Sequence, residues 1–130
     1  MIYEIVGIAL WVWCFTLFDW IGFVWLDNRK GTILYRFVQG AFQTMISLVL
    51  WYVLGSWVPV LSANIIWLFL GCDVLFYWVD GSKLTPFTWF TWSPVNFLYQ
   101  IILGKPTPVY AIWASVIIGV VISCSILLIL

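Results

Sequence analysis

The chain has 130 residues, of which 65% are hydrophobic and 8% are charged, and its five basic side chains balance its five acidic ones. Soluble domains are about half apolar and about a quarter charged, and a chain this short has too little interior to bury so many apolar side chains. The composition excludes an ordinary soluble domain, and the lack of net positive charge argues against a nucleic-acid-binding surface. We expect an all-α integral membrane protein in which residues 1–130 form a single transmembrane domain.

The first predicted membrane span covers Ile5–Leu26. The residues before it include Glu4 and no lysine or arginine, and no small-residue cleavage site follows, so we do not expect a cleavable signal peptide. The polar turn Asp27–Gly31 separates this span from the second one, Ile33–Trp57. A spanning helix needs about 20 mostly apolar residues, and both segments meet that requirement.

The third and fourth predicted spans are Leu61–Val79 and Val109–Leu130. An uncharged turn, Gly55–Pro59, precedes the third span, which is slightly short and ends in Tyr77 and Trp78. Tyrosine and tryptophan are enriched at membrane–water interfaces, so this ending is typical of a helix that reaches the lipid headgroups. The four segments together predict four transmembrane helices.

The segment Lys83–Pro108, between the third and fourth spans, is long enough to cross a membrane, but two prolines interrupt it. Ser93 and the proline after it have the pattern of a helix N-cap and first helical residue, and Gly104 is a typical C-terminal stop. We predict a short helix, Pro94–Leu103, that is interfacial or re-entrant. The alternative is a fifth span, which would place Lys105 outside the cell and the C-terminus inside.

The basic residues predict the orientation of the protein. In the four-helix arrangement all five fall on one side of the membrane, and the positive-inside rule makes that side cytoplasmic, with both termini outside. These residues are Arg29, Lys30, Arg36, Lys83 and Lys105. We therefore expect a multi-pass protein, in the cell membrane, whose loops with Arg29/Lys30 and with Lys83/Lys105 face the cytoplasm.

Two short segments resemble each other at an offset of 53 residues: Phe23–Asp27 and Phe76–Asp80. One interpretation is an internal duplication, since parallel repeats occur in transporter folds. The other is that any helix ending at this interface tends to carry a tryptophan followed by an acidic residue. The sequence leaves both interpretations open.

Cofactor chemistry is not expected from the composition. The chain contains no histidine, which argues against a haem, a copper centre or a zinc site formed by this chain alone. The three cysteines, Cys14, Cys72 and Cys124, lie in apolar segments without a C-x-x-C pair, so we interpret them as buried small apolar side chains. We predict no cofactor, no metal site and no catalytic residue.

Polar residues inside the predicted spans are the candidate functional site. Charged groups at membrane depth cost about 2.5–3.5 kcal/mol each on insertion scales, so each requires an explanation. Helical spacing predicts one cluster near the cytoplasmic ends of the helices, in which Arg36 could bridge one or both carboxylates. Its members are Asp19, Asp73, Arg36, Gln39 and Gln43. The cluster is either a structural polar lock between helices or a proton relay, cation relay or substrate site.

Small residues at four-residue spacing on the last helix predict a close helix–helix contact. They are Ala111, Ser115, Gly119 and Ser123. The spacing does not distinguish a partner helix within the chain from one in another subunit.

The functional hypotheses follow from what the sequence contains and lacks. It has no nucleophile–base motif, metal-ligand set or glycine-rich phosphate loop. The first hypothesis is a non-catalytic, structural or accessory subunit of a multi-subunit membrane complex, with membrane lipids and other transmembrane subunits as partners, in a hetero-complex rather than a homo-oligomer. The alternatives are a small oligomeric transporter or channel that uses the polar cluster, and a lipid-modifying enzyme that uses its carboxylates as acid and base.

Overall fold

The computed structural model describes residues 1–27, 32–89 and 91–130. Six helices follow one another along this described chain. They are α1 (Ile2–Gly22), which continues as a π-helical turn over Phe23–Asp27; α2 (Thr32–Leu54); α3 (Val58–Leu68); α4 (Gly71–Asp80); α5, which begins as an α-helical turn over Pro94–Asn96 and continues as a π-helix over Phe97–Ile102; and α6 (Val109–Ile129).

Three helical stretches of the described chain are long and apolar enough to cross a membrane: Ile2–Trp25, Ile33–Leu54 and Val109–Ile129. Helices α3 and α4 pass the same test only when they are taken together, as one span bent by 65°. The prediction of an all-helical, multi-pass membrane protein is confirmed in this form, with three or four helices able to span the bilayer.

Helices α1 and α2 form an antiparallel hairpin. The indole of Trp11 donates a hydrogen bond to the Ser47 hydroxyl at 3.1 Å, and the rings of Phe18 and Phe42 stack with centroids 3.8 Å apart. Helix α1 also contacts α3 and α4, so it lies at the centre of the bundle. The buried residues of this core are Ile8, Trp11, Val12, Phe15, Leu50, Ala63 and Cys72.

The predicted third span, Leu61–Val79, is not a continuous helix. Helix α3 ends at Leu68, and Leu70 adopts a left-handed conformation with a φ of 71° before α4 begins. A left-handed conformation costs a residue with a side chain about 1–3 kcal/mol. The side chain of Leu70 is almost completely buried, with 1% of its surface exposed, and it belongs to one apolar cluster with Phe87 and Ile112. Van der Waals packing in this cluster holds the left-handed residue in place.

Two contacts stabilise the break between α3 and α4. The carbonyl oxygen of Phe69, which lies at the break, accepts a hydrogen bond from the Ser115 hydroxyl at 3.0 Å. The first residue of α4 is Gly71, and a Cβ atom there would lie 2.9 Å from the carbonyl oxygen of Ile66. The bend is therefore tight enough to require glycine at this position.

Helices α3 and α6 are antiparallel and in very close contact. The Ser123 hydroxyl donates to the Ser62 carbonyl oxygen at 2.8 Å, and the Ser62 hydroxyl donates back to the Ser123 carbonyl at 3.5 Å. A Cβ atom at Gly119 would lie 2.6 Å from Cβ of Phe69. The four small residues Ala111, Ser115, Gly119 and Ser123 are all buried. The close contact of this face is therefore made within the chain.

Residues 81–108 fold back between α4 and α6. Phe87 and Thr107 exchange two backbone hydrogen bonds, at 2.9 and 3.0 Å, and Asn96 on α5 donates to Thr91 and accepts from the Thr107 hydroxyl, each at 2.7 Å. The short helix begins at Pro94, as predicted, and Gly104 follows it with a φ of 67°. In the described part of this segment no helix is long enough to span a membrane, so the five-span alternative has no structural support.

The two similar segments Phe23–Asp27 and Phe76–Asp80 adopt different structures. The first is the π-helical end of a long helix, and the second is the end of α4, which follows the break. The rings of Phe23 and Phe76 contact each other with centroids 5.4 Å apart. Because the segments differ in conformation and in the helices that precede them, the structure gives the duplication no support.

Replacing Gly119 with valine should destabilise the protein. The added side chain would meet Cβ of Phe69, which is fixed to the backbone and cannot swing away. Overpacking of this kind costs about 1–3 kcal/mol. The measurement is the melting temperature in detergent, and the matched control is Ala114→Val, on the exposed side of the same helix, which should melt like the unmodified chain. Equal melting temperatures for the two variants would contradict the close α3–α6 contact.

Candidate functional site

Polar side chains line two adjoining cavities at the end of the bundle where α2 begins. The cavities have volumes of about 360 and 430 Å³ and share Arg36, Gln39 and Asp73 in their walls. Volumes of about 300–1,000 Å³ are typical of small-ligand sites. We call the two together the polar cavity, and its other walls include Asp19, Tyr35, Gln43, Trp67, Thr91 and Trp92.

Asp19 is held by two donors from α2. Its Oδ1 atom accepts a hydrogen bond from the Tyr35 hydroxyl and another from Nε2 of Gln39, at 2.7 Å for the amide. The Tyr35 ring reaches this position because Gly22 faces it: a Cβ atom there would lie 3.3 Å from the ring. Only 6% of the surface of Asp19 is exposed. Both hydrogen bonds end on the same oxygen of this buried carboxylate, and both connect α1 to α2.

Arg36 forms no ion pair with either carboxylate in the described chain. In the described residues no nitrogen of Arg36 lies within 4 Å of an oxygen of Asp19 or Asp73. The guanidinium instead donates to Oε1 of Gln39 at 3.2 Å and lies 5.5 Å from the centroid of the Tyr35 ring. Helical spacing put these residues on one side of α2, but the Gln39 amide stands between the guanidinium and Asp19.

Asp73 differs from Asp19 in having no hydrogen-bond partner among the described residues. It lies in the first turn of α4, is half-buried, and contributes to both compartments of the polar cavity. The bend of the chain between α3 and α4 brings this turn of α4 to the cavity. Of the two carboxylates that line the cavity, Asp19 accepts hydrogen bonds from α2, and Asp73 accepts none from the described residues.

Gln43 belongs to a second hydrogen-bond network, further along α2. It donates to Oδ1 of Asn64 at 2.8 Å, and Nδ2 of Asn64 donates to the Ser47 hydroxyl at 3.2 Å. These residues line a third cavity of about 400 Å³ between α2 and α3, which ends at Trp51 and Trp57. We call this cavity the α2–α3 groove. Gln43 lines both the groove and the polar cavity, so the two lie next to each other along α2.

Several residues of the site were not identified from the sequence. Asn64 is a polar residue in the otherwise mostly apolar α3, and that isolation at membrane depth was a usable signal. Tyr35, Thr91 and Trp92 also line the polar cavity, and none of them was assigned to the cluster from helical spacing.

The sequence interpretation placed all three cysteines in the interior, and the structure corrects this for two of them. Cys72 is buried in the core, whereas Cys14 and Cys124 are exposed on the outer surfaces of α1 and α6. Apolar neighbours in the sequence indicated a membrane environment correctly, but in a bilayer such a side chain is equally stable facing lipid.

Compared with models of known protein families, with curated proteins and with solved structures, the chain gives no significant match. Its function is therefore inferred from the geometry of the site alone.

The two hydrogen bonds of Asp19 predict how its variants behave. Both donors use the same oxygen, so Asp19→Asn retains an acceptor for Tyr35 and Gln39 and should keep most of the stability. Asp19→Leu leaves both donors without an acceptor, and each buried unsatisfied group costs about 1–3 kcal/mol. Thermal unfolding in detergent measures the difference. A leucine variant as stable as the asparagine variant would show that these hydrogen bonds do not stabilise the hairpin.

Proposed function

We propose that the chain is a small membrane transport protein whose substrate site is the polar cavity. The observation that carries this proposal is that Arg36 and Asp73, of opposite charge, line the same cavity without pairing with each other. A charge at membrane depth is costly and is normally paired or exposed to water. Two opposite charges that line one cavity and form no ion pair within the described chain support a site that is hydrated and that accepts a polar ligand.

The α2–α3 groove supports a path for the ligand across most of the bilayer. The distance from Arg36 to Trp51 along α2 is about 22 Å at 1.5 Å per residue, compared with a hydrocarbon core of about 30 Å. Gln43, Thr44 and Asn64 line the intervening surface. A ligand leaving the polar cavity along this groove would therefore meet hydrogen-bonding side chains rather than hydrocarbon alone.

The two carboxylates have separate roles in this proposal. Asp19 positions α1 against α2, because both of its donors come from α2. Asp73 binds the ligand, because it lines both compartments and accepts no hydrogen bond from the described residues. A lipid-modifying enzyme that used both carboxylates as acid and base would first have to release Asp19 from Tyr35 and Gln39, which makes this hypothesis less favourable than transport.

A non-catalytic accessory subunit of a multi-subunit membrane complex is the second candidate. The observation that favours it is the outer surface of α2, since only 6% of its spanning window is buried. Gly40 and Thr44 are exposed on that surface, and small residues four positions apart are typical of helix–helix contacts. A helix of another subunit lying in the α2–α3 groove would cover its polar side chains, and the polar cavity would then be a structural lock.

The transport proposal predicts that water enters the α2–α3 groove. In a chain with Cys14, Cys72 and Cys124 replaced by alanine, Thr44→Cys in liposomes should react with a membrane-impermeant thiol reagent, because a hydrated thiol ionises to the reactive thiolate. Met45→Cys is the matched control, since Met45 is the next residue on α2 and is exposed on a different side of the helix. It should react far more slowly.

Equal, slow reaction of the Thr44→Cys and Met45→Cys variants would contradict a hydrated groove. Rapid reaction of Thr44→Cys in liposomes that is blocked in native membranes would favour the accessory-subunit candidate, because a partner would then occupy the groove.

The proposed orientation places both termini outside and the Arg36 end of the bundle in the cytoplasm. In the same cysteine-free background, Ile2→Cys and Ser56→Cys should be labelled from outside intact cells, and Ser82→Cys should not. Asn28→Cys should also be protected, although Asn28, Arg29 and Lys30 lie outside the described residues. External labelling of Ser82→Cys with protection of Ser56→Cys would reverse the orientation.

A further inference from the structure

We propose that the polar cavity binds the headgroup of a zwitterionic phospholipid, with the phosphate at Arg36 and the ammonium group at Asp73. This inference rests on the proposed transport function and names its substrate class. Arg36 and Asp73 line both compartments of the cavity, and within the described chain they form no ion pair with each other. A ligand that carries both charges on a short linker can satisfy both residues at once.

Arg36 is suited to the phosphate group. A guanidinium presents five N–H donors in a planar fork that matches phosphate oxygens, and one nitrogen of Arg36 is already positioned by its hydrogen bond to Gln39. The Tyr35 ring, 5.5 Å from the guanidinium carbon, further restricts its orientation. The remaining donors can form the charge-assisted hydrogen bonds that make arginine a strong phosphate ligand.

The ammonium group is matched by Asp73 and by aromatic rings. In the described residues the Asp73 carboxylate has no donor, so it offers its acceptor sites to a ligand. Trp67 and Trp92 line the same compartment, and a cation over a tryptophan face gains about 0.5–2 kcal/mol. The compartment that contains Arg36 and Asp73 therefore also contains the aromatic surfaces that favour an organic cation.

The position of the cavity favours a lipid over a soluble zwitterion. Arg36, Gly40 and Thr44 are exposed on the outer side of a membrane-spanning helix, so the cavity and the groove open towards the bilayer. A Cβ atom at Gly40 would have no neighbour within 4 Å, which leaves room for a headgroup to enter beside α2. Phe37, 75% exposed, lies one helical turn before Gly40 and offers apolar surface to the acyl chains. A headgroup can thus occupy the cavity while its acyl chains stay in the membrane.

The test is competition between two lipids with the same acyl chains. The purified full-length chain in detergent is mixed with equal amounts of phosphatidylethanolamine and phosphatidylglycerol, and the lipid retained by the protein is quantified by native mass spectrometry. Both lipids carry a phosphate, but only the first carries an ammonium group. The chain should retain phosphatidylethanolamine in excess by about tenfold, the effect of one charge-assisted hydrogen bond.

Two variants and a matched control attribute this preference to the cavity. Asp73→Asn should bring the retention ratio close to one, and Arg36→Gln should lower retention of both lipids. Asp80→Asn removes a carboxylate that lies outside the polar cavity and is bonded to Trp20 at 2.8 Å, so the ratio should not change. Melting temperatures measured for each variant separate loss of binding from loss of folding.

Equal retention of the two lipids by the unmodified chain, or an unchanged ratio in a folded Asp73→Asn variant, would overturn the inference. Displacement of the lipid by soluble glycerophosphoethanolamine at similar concentration would contradict the claim that the ligand is a membrane lipid, because the free zwitterion would then bind equally well. If Thr44→Cys reacts rapidly but the lipids are retained equally, the transport proposal stands and the substrate class is wrong. If Thr44→Cys is unreactive, the transport proposal itself fails.

Discussion

An α-helix inside a bilayer can be interrupted only where the backbone groups freed by the break find partners in the protein, because the hydrocarbon offers none. At the break between α3 and α4, the Ser115 hydroxyl of α6 provides such a partner for the carbonyl of Phe69. Gly119, one turn further along α6, lets the two helices approach closely enough for this bond to form. The polar cavity depends on these contacts, since the break sets the direction of α4 and thereby the position of Asp73.

The two aspartates illustrate how the surroundings divide one chemical group between two tasks. Asp19 lies on the unbroken helix α1, and a tyrosine and a glutamine of α2 donate hydrogen bonds to it. Asp73 lies just after a break, in the first turn of α4, and accepts no hydrogen bond from the described residues. A carboxylate of the first kind stabilises a helix pair. A carboxylate such as Asp73 is costly inside the membrane unless water or a ligand donates hydrogen bonds to it. This cost is the physical reason for proposing Asp73 as a ligand-binding residue.

The helices were largely predictable because their signals are local. Hydropathy located the long spans, the small residues Ala111, Ser115, Gly119 and Ser123 marked a close contact, and Pro94 with Gly104 bounded the short helix. The break was not predictable, because leucine is a good helix former and nothing in the sequence around Leu70 requires a left-handed residue. Gly71 was the single local sign of a break, and a glycine in a membrane helix can equally mark a close helix–helix contact.

The site was harder to predict than the helices. Spacing along α2 correctly grouped Arg36, Gln39 and Gln43 on one side, but it gave no information on which neighbouring helix each side chain faces. As a result, Asn64 was missed as the partner of Gln43, and Arg36 was assigned to the carboxylates although Gln39 stands between. Contacts of this kind depend on the rotation of one helix relative to another, which packing determines.

The hydrogen bond between Phe69 and Ser115 also constrains the order in which the protein is made. Ser115 follows Phe69 by 46 residues, so α3 and α4 leave the ribosome before the group that satisfies their break has been synthesised. The α1–α2 hairpin contains both partners of its own contacts and can assemble early. The third segment must await insertion of the C-terminal helix, and a chain that stalls or is cleaved before that helix would lack the partner for its open carbonyl. Until α6 is in place, the bend between α3 and α4 lacks the hydrogen-bond donor that the bilayer cannot supply.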